Sequence, residues 1–477
     1  MKFSPFIKQM YVAAATQLVS VSMGGSLMYP SILLHQFRSE ESTIRTELDT
    51  LTWIAAMHGI SGLGATLMPT IMQLKGRKYT FIGSSILLLI GWILAAAATN
   101  VFTVLLSAVF HGLASNCISI INLVTVSEMI APKYRSALMF SLTIEQTIGQ
   151  VIVANLGAVL DWKTVAMIMC APLVIALLMA IIFPESPSWL AFKGKFEETE
   201  KSFIWLRGTD DEANKELKAM IAAQKEVKRQ TKKTRLQEMM LKLKEKDLYI
   251  PSLYMLLILT NFYGCGSMSM FVYTKDFIEI GTGNPEIALT GYIITSYVLL
   301  LGSSISIVLI KFFNSKTVLS TAFGSIICLI GCAVSPYLKS AGIISSDSLL
   351  FLYFFLGFMG LNNSGFNPVT FSLAIDLMPV KHRGFGGGLF NILTCILFVA
   401  TVKTAPHIVL CIGLSWMFIC FAVISTICTI LIWIYVPETK NRTLQEIEDY
   451  YNYGSFVRPR GLEDNEVNLP IVKVNEE

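Results

Sequence analysis

Glu128-Met-Ile-Ala-Pro-Lys-Tyr-Arg135 and Asp376-Leu-Met-Pro-Val-Lys-His-Arg383 are two copies of one pattern. In each, an acid stands seven residues before an arginine, and the copies lie 248 positions apart. A second pair of segments matches in the same way: Pro184-Glu185-Ser186-Pro187 and Pro437-Glu438-Thr439-Lys440. Each copy follows a long apolar run. Two halves with the same loop chemistry on one side form the pattern expected of a rocking transporter with a site between its halves.

The composition around these motifs agrees. Of 477 residues, 53% are hydrophobic and only 15% charged, against about 45–50% and about 25% in soluble domains. So little charge cannot coat soluble domains of this total length. A secreted, nucleic-acid-binding or conventional cytosolic protein is excluded, and a lipid bilayer is the expected surrounding. Runs long enough to cross it, at about 20 residues each, fall near 10–34, 51–74, 79–98, 102–127, 137–160 and 164–184. A second set falls near 250–274, 286–310, 317–338, 348–376, 385–406 and 410–436. These are spans 1 to 12. The expected fold is an all-α membrane protein of twelve transmembrane helices. It divides into an N-terminal half (1–184), a helical linker (185–249), a C-terminal half (250–436) and a polar tail (437–477).

The few charges set the expected orientation. Lys75, Arg77 and Lys78 follow span 2, Lys133 and Arg135 follow span 4, Lys316 follows span 8, and Lys381, His382 and Arg383 follow span 10. The opposite loops are poorer in basic residues, the first holding Arg38, Arg45, Glu40, Glu41, Glu47 and Asp49. Basic loops mark the cytosolic side, so both termini and the linker are expected there, with span 1 acting as an uncleaved insertion signal. The nine cysteines lie inside apolar stretches without metal-ligand or disulfide spacing and read as small hydrophobes. No P-loop, zinc spacing or catalytic triad occurs, so neither an enzyme nor a cofactor or metal is expected. The sequons at Asn362 and Asn441 lie in a span and on the cytosolic side, so neither is expected to be glycosylated.

At PESPSWL (184–190), VPETKNRTLQEIE (436–448) and MPVKHRG (378–384) the chain resembles the sugar porter family of the major facilitator superfamily. LTWIAAMHGISGLGA (51–65) is similar to its insect facilitated trehalose transporter-like branch. The resemblance implies the major facilitator fold and alternating access. It implies facilitative transport of a small neutral sugar, trehalose or a hexose, across the plasma membrane by a monomer. It also implies a cytosolic gate of Arg77, Lys78, Glu128, Arg135, Glu185, Lys316, Asp376, Arg383 and Glu438, bridging the halves when the opposite side is open. The alternative for these charges is that they only anchor helix ends.

The chain departs from the family in places. The loop after span 2 (Gln73 to Lys78) lacks the family's acid, the loop after span 8 has become Lys311-Phe-Phe-Asn-Ser-Lys316, and Ala108 replaces an arginine in span 4. The family's binding amides and tryptophans align with Thr143, Thr260, Asn261, Gly266, Phe371 and Cys395. Other polar groups offer a rebuilt pocket. Thr143, Gln146 and Gln150 form a stripe on span 5, and Asn116, Ser119 and Asn122 form another on span 4. Span 10 is expected to break at Asn362-Asn363-Ser364-Gly365-Phe366-Asn367-Pro368, freeing backbone groups toward a cavity. The substrate-binding set is therefore Thr143, Gln146, Gln150, Thr260, Asn261, Tyr263, Asn362, Asn363, Asn367 and Phe371. The competing role for each is hydrogen-bond glue between helices. Glu145 and His111 are candidates for carrying a coupling proton. Span 1 holds no carboxylate, so facilitated diffusion is the reading preferred over symport. Transport of another polar solute, or sugar sensing without transport, would fit the altered cavity and the eroded loops.

Overall fold

The computed structural model describes residues 4–38, 44, 46–230, 246–345, 347–378, 383–438, 446, 450 and 451. No strand occurs among them. Among the described residues, eleven helices are long and apolar enough to cross a membrane: Pro5–Gln36, Leu48–Lys75, Arg77–Ala97, Val101–Met129, Pro132–Val159 and Trp162–Ile182 in the N-terminal half. Leu248–Val272, Pro285–Phe312, Lys316–Ser340, Phe385–Ile412 and Leu414–Tyr435 follow in the C-terminal half. The twelfth crossing is span 10, which runs as Leu350–Leu361, a π-helical turn at Asn362–Phe366, and Asn367–Asp376. The fold is thus twelve spans, six in each half.

Three features differ from the sequence reading or add to it. Span 10 does not break; the Asn-Gly-Pro segment widens into the π turn and the helix continues through Pro368. Span 11 does not stop near 406. It passes through Pro406 to Ile412, and the turn into span 12 falls at Gly413, whose φ of 86° lies in the left-handed region that favours glycine. Span 2 carries a 3₁₀ segment, Leu63–Leu67, between two α-helical pieces.

The linker begins with Pro187–Lys193, Phe196–Arg207 and Asp211–Gln230. These helices hold one end of the bundle. Gln9 at the start of span 1 donates to the Leu206 carbonyl and accepts from the Ala131 amide (3.0 and 2.7 Å). The Trp189 indole donates to the Gln73 carbonyl, and Arg207 donates to the Ile130 carbonyl. This is the linker end. At the other end, Gln36 ties the close of span 1 to Gly157, Leu160 and Trp162. The two halves meet along a seam where span 2 packs on span 11 and span 5 on span 8.

Candidate functional site: a central seam with charged clusters at both ends

At the linker end the described gate residues Arg77, Lys78, Glu128, Glu185, Lys316 and Glu438 find partners, each within its own half. Arg77 grips Glu128 with two parallel hydrogen bonds, Nε to Oε2 at 2.8 Å and Nη2 to Oε1 at 2.7 Å. Both side chains are mostly covered, and the fork-to-fork geometry is the strong form of such a pair. Ser186 adds its hydroxyl to Glu128 (2.5 Å). Glu185 caps the start of span 3, accepting from the backbone amides of Arg77 (2.7 Å) and Lys78 (3.1 Å). A helix start welcomes a carboxylate because its first amides are unpaired and its dipole is positive there. Gly76 makes room: its φ is 93°, and a Cβ there would stand 2.2 Å from Glu185 Oε2. Burial nevertheless raises the Glu185 carboxyl above the ordinary range, opposed by its hydrogen bonds to the amides of Ser186, Lys78 and Arg77.

The C-terminal half repeats this arrangement in part. Glu438 accepts from the Lys316 amide (2.9 Å), as Glu185 does from Lys78. The Lys316 ammonium then reaches the Trp433 carbonyl (3.2 Å), as that of Lys78 reaches Ile181 (2.9 Å). The duplicated acids therefore do the same thing in space: the last loop of each half caps the third span of that half. Arg135 turns to the Ile130 carbonyl in its own half. The side chains of Asp376, Arg383 and Phe371 lie outside the described residues.

At the opposite end, the charges pair between the halves. Arg38, just after span 1, bonds Asp276 of the C-terminal half at 2.9 Å. Lys275 and His35 meet at 2.5 Å across the same gap. On the other flank, Lys403 of span 11 binds Asp49 at the head of span 2 (2.5 Å), donates to Thr52 (2.8 Å), and lies 4.3 Å from the centre of the Trp53 ring. His407 stands 3.6 Å from Asp49. None of these residues was singled out as functional from the sequence.

Between the ends, neutral polar groups link the halves. Asn391 of span 11 donates to the Gly62 carbonyl (3.2 Å) and to Thr66 (2.9 Å), where span 2 turns 3₁₀. Thr147 of span 5 and Ser303 of span 8 share a hydrogen bond of 3.0 Å. Asn363, on the π turn of span 10, donates to Ser303 (2.8 Å) and to the Leu299 carbonyl (2.6 Å).

The remaining predicted binding residues separate into two groups. Gln146, Gln150, Thr260 and Asn367 are half-buried and Thr143 is exposed. Asn261, by contrast, is fully buried and donates to Thr429 of span 12 (3.0 Å), which ties two helices of one half together. Asn362 is equally enclosed and bonds Ser267 of span 7 (2.7 Å), next to the Cys265–Gly266 turn. Tyr263 is buried beside Thr394 and Cys395 of span 11. The carboxamide oxygens of Asn261, Asn362 and Asn367 are buried with no partner among the described residues, so span 7 and the π-turn region of span 10 carry unspent acceptors.

Of the coupling candidates, Glu145 is half-buried on span 5 and His111 is buried against Trp92, ring centroids 4.5 Å apart. A second buried histidine, His58 of span 2, lines a small cavity with His111, Ser26, Tyr29, Ser107 and Ala108. His58 was legible by type, since an ionisable side chain inside a span is a functional candidate by default.

Residues 10–451 match the family model described as "Sugar (and other) transporter". The chain belongs to that family. Among curated relatives it is 26% identical over 447 residues to the facilitated trehalose transporter Tret1 of Apis mellifera ligustica, covering 93% of this chain and 88% of that one. It is 28% identical over 462 residues to the protein of the same name from Bombyx mori, covering 94% and 87%. Its fold matches the proton:xylose symporter XylE bound to 6-bromo-6-deoxy-D-glucose with a TM-score of 0.72 at 18% identity, covering 94% of this chain and all of that one. It matches the inward-open form of the xylose transporter XylE from E. coli with 0.74 at 17% identity, covering 92% and 99%.

Proposed function

We propose that this chain is a facilitative carrier of a small neutral sugar, trehalose or a hexose, working by alternating access. The observation that supports it best is the seam itself. Two six-helix halves join through neutral hydrogen bonds at mid-depth, while the ion pairs among the described residues lie at the ends or in the linker. A hydroxylated solute fits such a lining because each desolvated hydroxyl needs a partner and none needs a counter-ion. The names of the trehalose transporter relatives support the substrate class.

In this reading the linker end faces the cytosol, both termini lie there, and the carrier acts as a monomer in the plasma membrane. The working units are residues 1–184 and 250–436, joined by 185–249 and followed by a tail, 437–477. Gln146, Gln150, Thr143, Thr260, Asn363 and Asn367 are the residues assigned to sugar contact, with Asn362 and Tyr263 shaping the pocket behind them. Arg77, Lys78, Glu128, Glu185, Lys316 and Glu438, with Arg135, Asp376 and Arg383, are assigned to the cytosolic gate. Facilitated diffusion is preferred to symport because no carboxylate or arginine joins His58 and His111 at their cavity, and an unpaired imidazolium there would be costly.

Uptake of radiolabelled trehalose and glucose by transport-null cells expressing the chain tests this reading. Saturable uptake of either sugar that equilibrates without accumulating, and is unaffected by a protonophore, is the expected result. Accumulation that collapses with the protonophore would assign symport instead. If neither sugar moves, the sugar assignment fails.

A further inference from the structure

We infer that His35, Arg38, Asp49, Lys275, Asp276 and Lys403 form a two-part latch that holds the end of the bundle opposite the linker closed, and so biases the resting carrier toward opening at the linker end. The inference rests on the alternating-access reading above but assigns new residues within it.

The geometry carries the argument. Among the described residues, the ion pairs that join the two halves lie at this end: Arg38 with Asp276, and Lys403 with Asp49, His407 standing near the latter. They sit on the two flanks of the seam, spans 1 and 7 on one side and spans 2 and 11 on the other. Their polarity is reciprocal. On the first flank the N-terminal half brings the arginine and the C-terminal half the acid; on the second these roles exchange. A half that slid or rotated out of register would misplace both pairs at once, so the arrangement specifies one docking geometry.

Each flank is more than a surface ion pair. Lys403 spends its ammonium on Asp49 Oδ1, the Asp49 carbonyl and the Thr52 hydroxyl, while lying against the Trp53 ring. Lys275 is only 8% exposed, and its ammonium meets His35 Nε2, a contact that requires a neutral imidazole as acceptor. Beneath the first flank, Ser31 of span 1 lies beside Tyr292 of span 8. When the halves part, every one of these groups regains water, so each pair supplies a modest bias. Partly exposed pairs typically shift an equilibrium about two- to five-fold, and a population is moved only by what differs between its two states. Such a device tilts the cycle without locking it.

The test reads accessibility, so it does not depend on which sugar moves. A reporter cysteine, Ser31→Cys, is placed in a Cys411→Ser, Cys420→Ser background and labelled with a charged maleimide in unsealed membranes. Asp276→Asn and Asp49→Asn are each expected to raise the labelling rate about two- to five-fold. The exchanged pair Arg38→Asp with Asp276→Arg is expected to return the rate close to that of the parent, which also shows that these variants fold. Unchanged labelling in both single variants would overturn the latch. So would an exchanged pair that labels as fast as Asp276→Asn. If labelling behaves as expected while neither sugar is transported, the latch stands and the sugar assignment falls.

Discussion

The two ends of the bundle use the same residue types in opposite ways. At the linker end the acids described find partners inside their own half: Glu128 in Arg77, Glu185 in the amides of span 3, Glu438 in the amide of Lys316. At the other end Asp49 and Asp276 find their cations in the other half. Charges paired within a half stay paired when the halves move, whereas charges paired across the seam must part. The linker-end clusters therefore keep each half rigid in this conformation, and the cross-seam pairs set how easily the far end opens. For the linker-end residues to serve as a gate as well, they must take partners across the seam in the other state.

The largest effect should come from breaking a rigidifying pair. Glu128→Gln leaves the Arg77 guanidinium mostly covered and short of its carboxylate, a loss of about 2–4 kcal/mol where such pairs are well enclosed. It is expected to lower thermal stability markedly and to reduce uptake at least tenfold. Unchanged uptake and unchanged access at the linker end would remove these charges from the mechanism.

Next in size is Gly76→Ala. The added carbon would collide with the Glu185 carboxylate in a backbone region that suits glycine, which should cost about 1–3 kcal/mol. Surface expression and melting temperature would report it, and Gly413→Ala, with nothing near the position of its Cβ, gives the strain-only comparison.

Smaller effects separate glue from binding along the seam. Asn261→Ala removes one interhelical hydrogen bond, about 0.6 kcal/mol on average in membranes, and should leave the apparent affinity for sugar unchanged. Gln150→Ala is expected to raise KM about tenfold while leaving melting unchanged. A reversal of these two outcomes would move the binding surface from span 5 to span 7.

The smallest effect is a pH dependence at Glu185. Burial raises its carboxyl above the usual 4.5. A group whose folded value is raised contributes stability at low pH that is lost as pH rises through that folded value. The parent should therefore lose stability relative to Glu185→Gln as pH climbs from about 4.5 toward neutrality; the opposite slope would mean that the amide hydrogen bonds outweigh burial.

How far the sequence foretold this depends on how local each feature is. Glu185 and Glu438 were legible because each stands at fixed spacing in a short loop that occurs twice, and the capped helix follows the repeat. Span 11 runs past the expected end near 406 to Ile412, because a helix enclosed by neighbours carries a proline such as Pro406. The span 10 segment was expected to break for a related reason, and a π turn absorbed the strain instead. Asn261 and Asn363 looked alike as amides inside spans. Helical spacing gives the side of a helix but not its neighbour, so one turned to span 12 and the other to span 8. The cross-seam pairs were illegible because Arg38 and Asp276 are 238 residues apart, and Asp49 and Lys403 354, with no repeat to connect them.

A reversible staple across the far end tests most directly whether the halves must part there. With Arg38→Cys and Asp276→Cys joined by a disulfide, flux of radiolabelled trehalose or glucose should stop, and reduction should restore it in the same cells. Sugar flux that continues with the staple in place would contradict the claim that the halves must part at that end for transport.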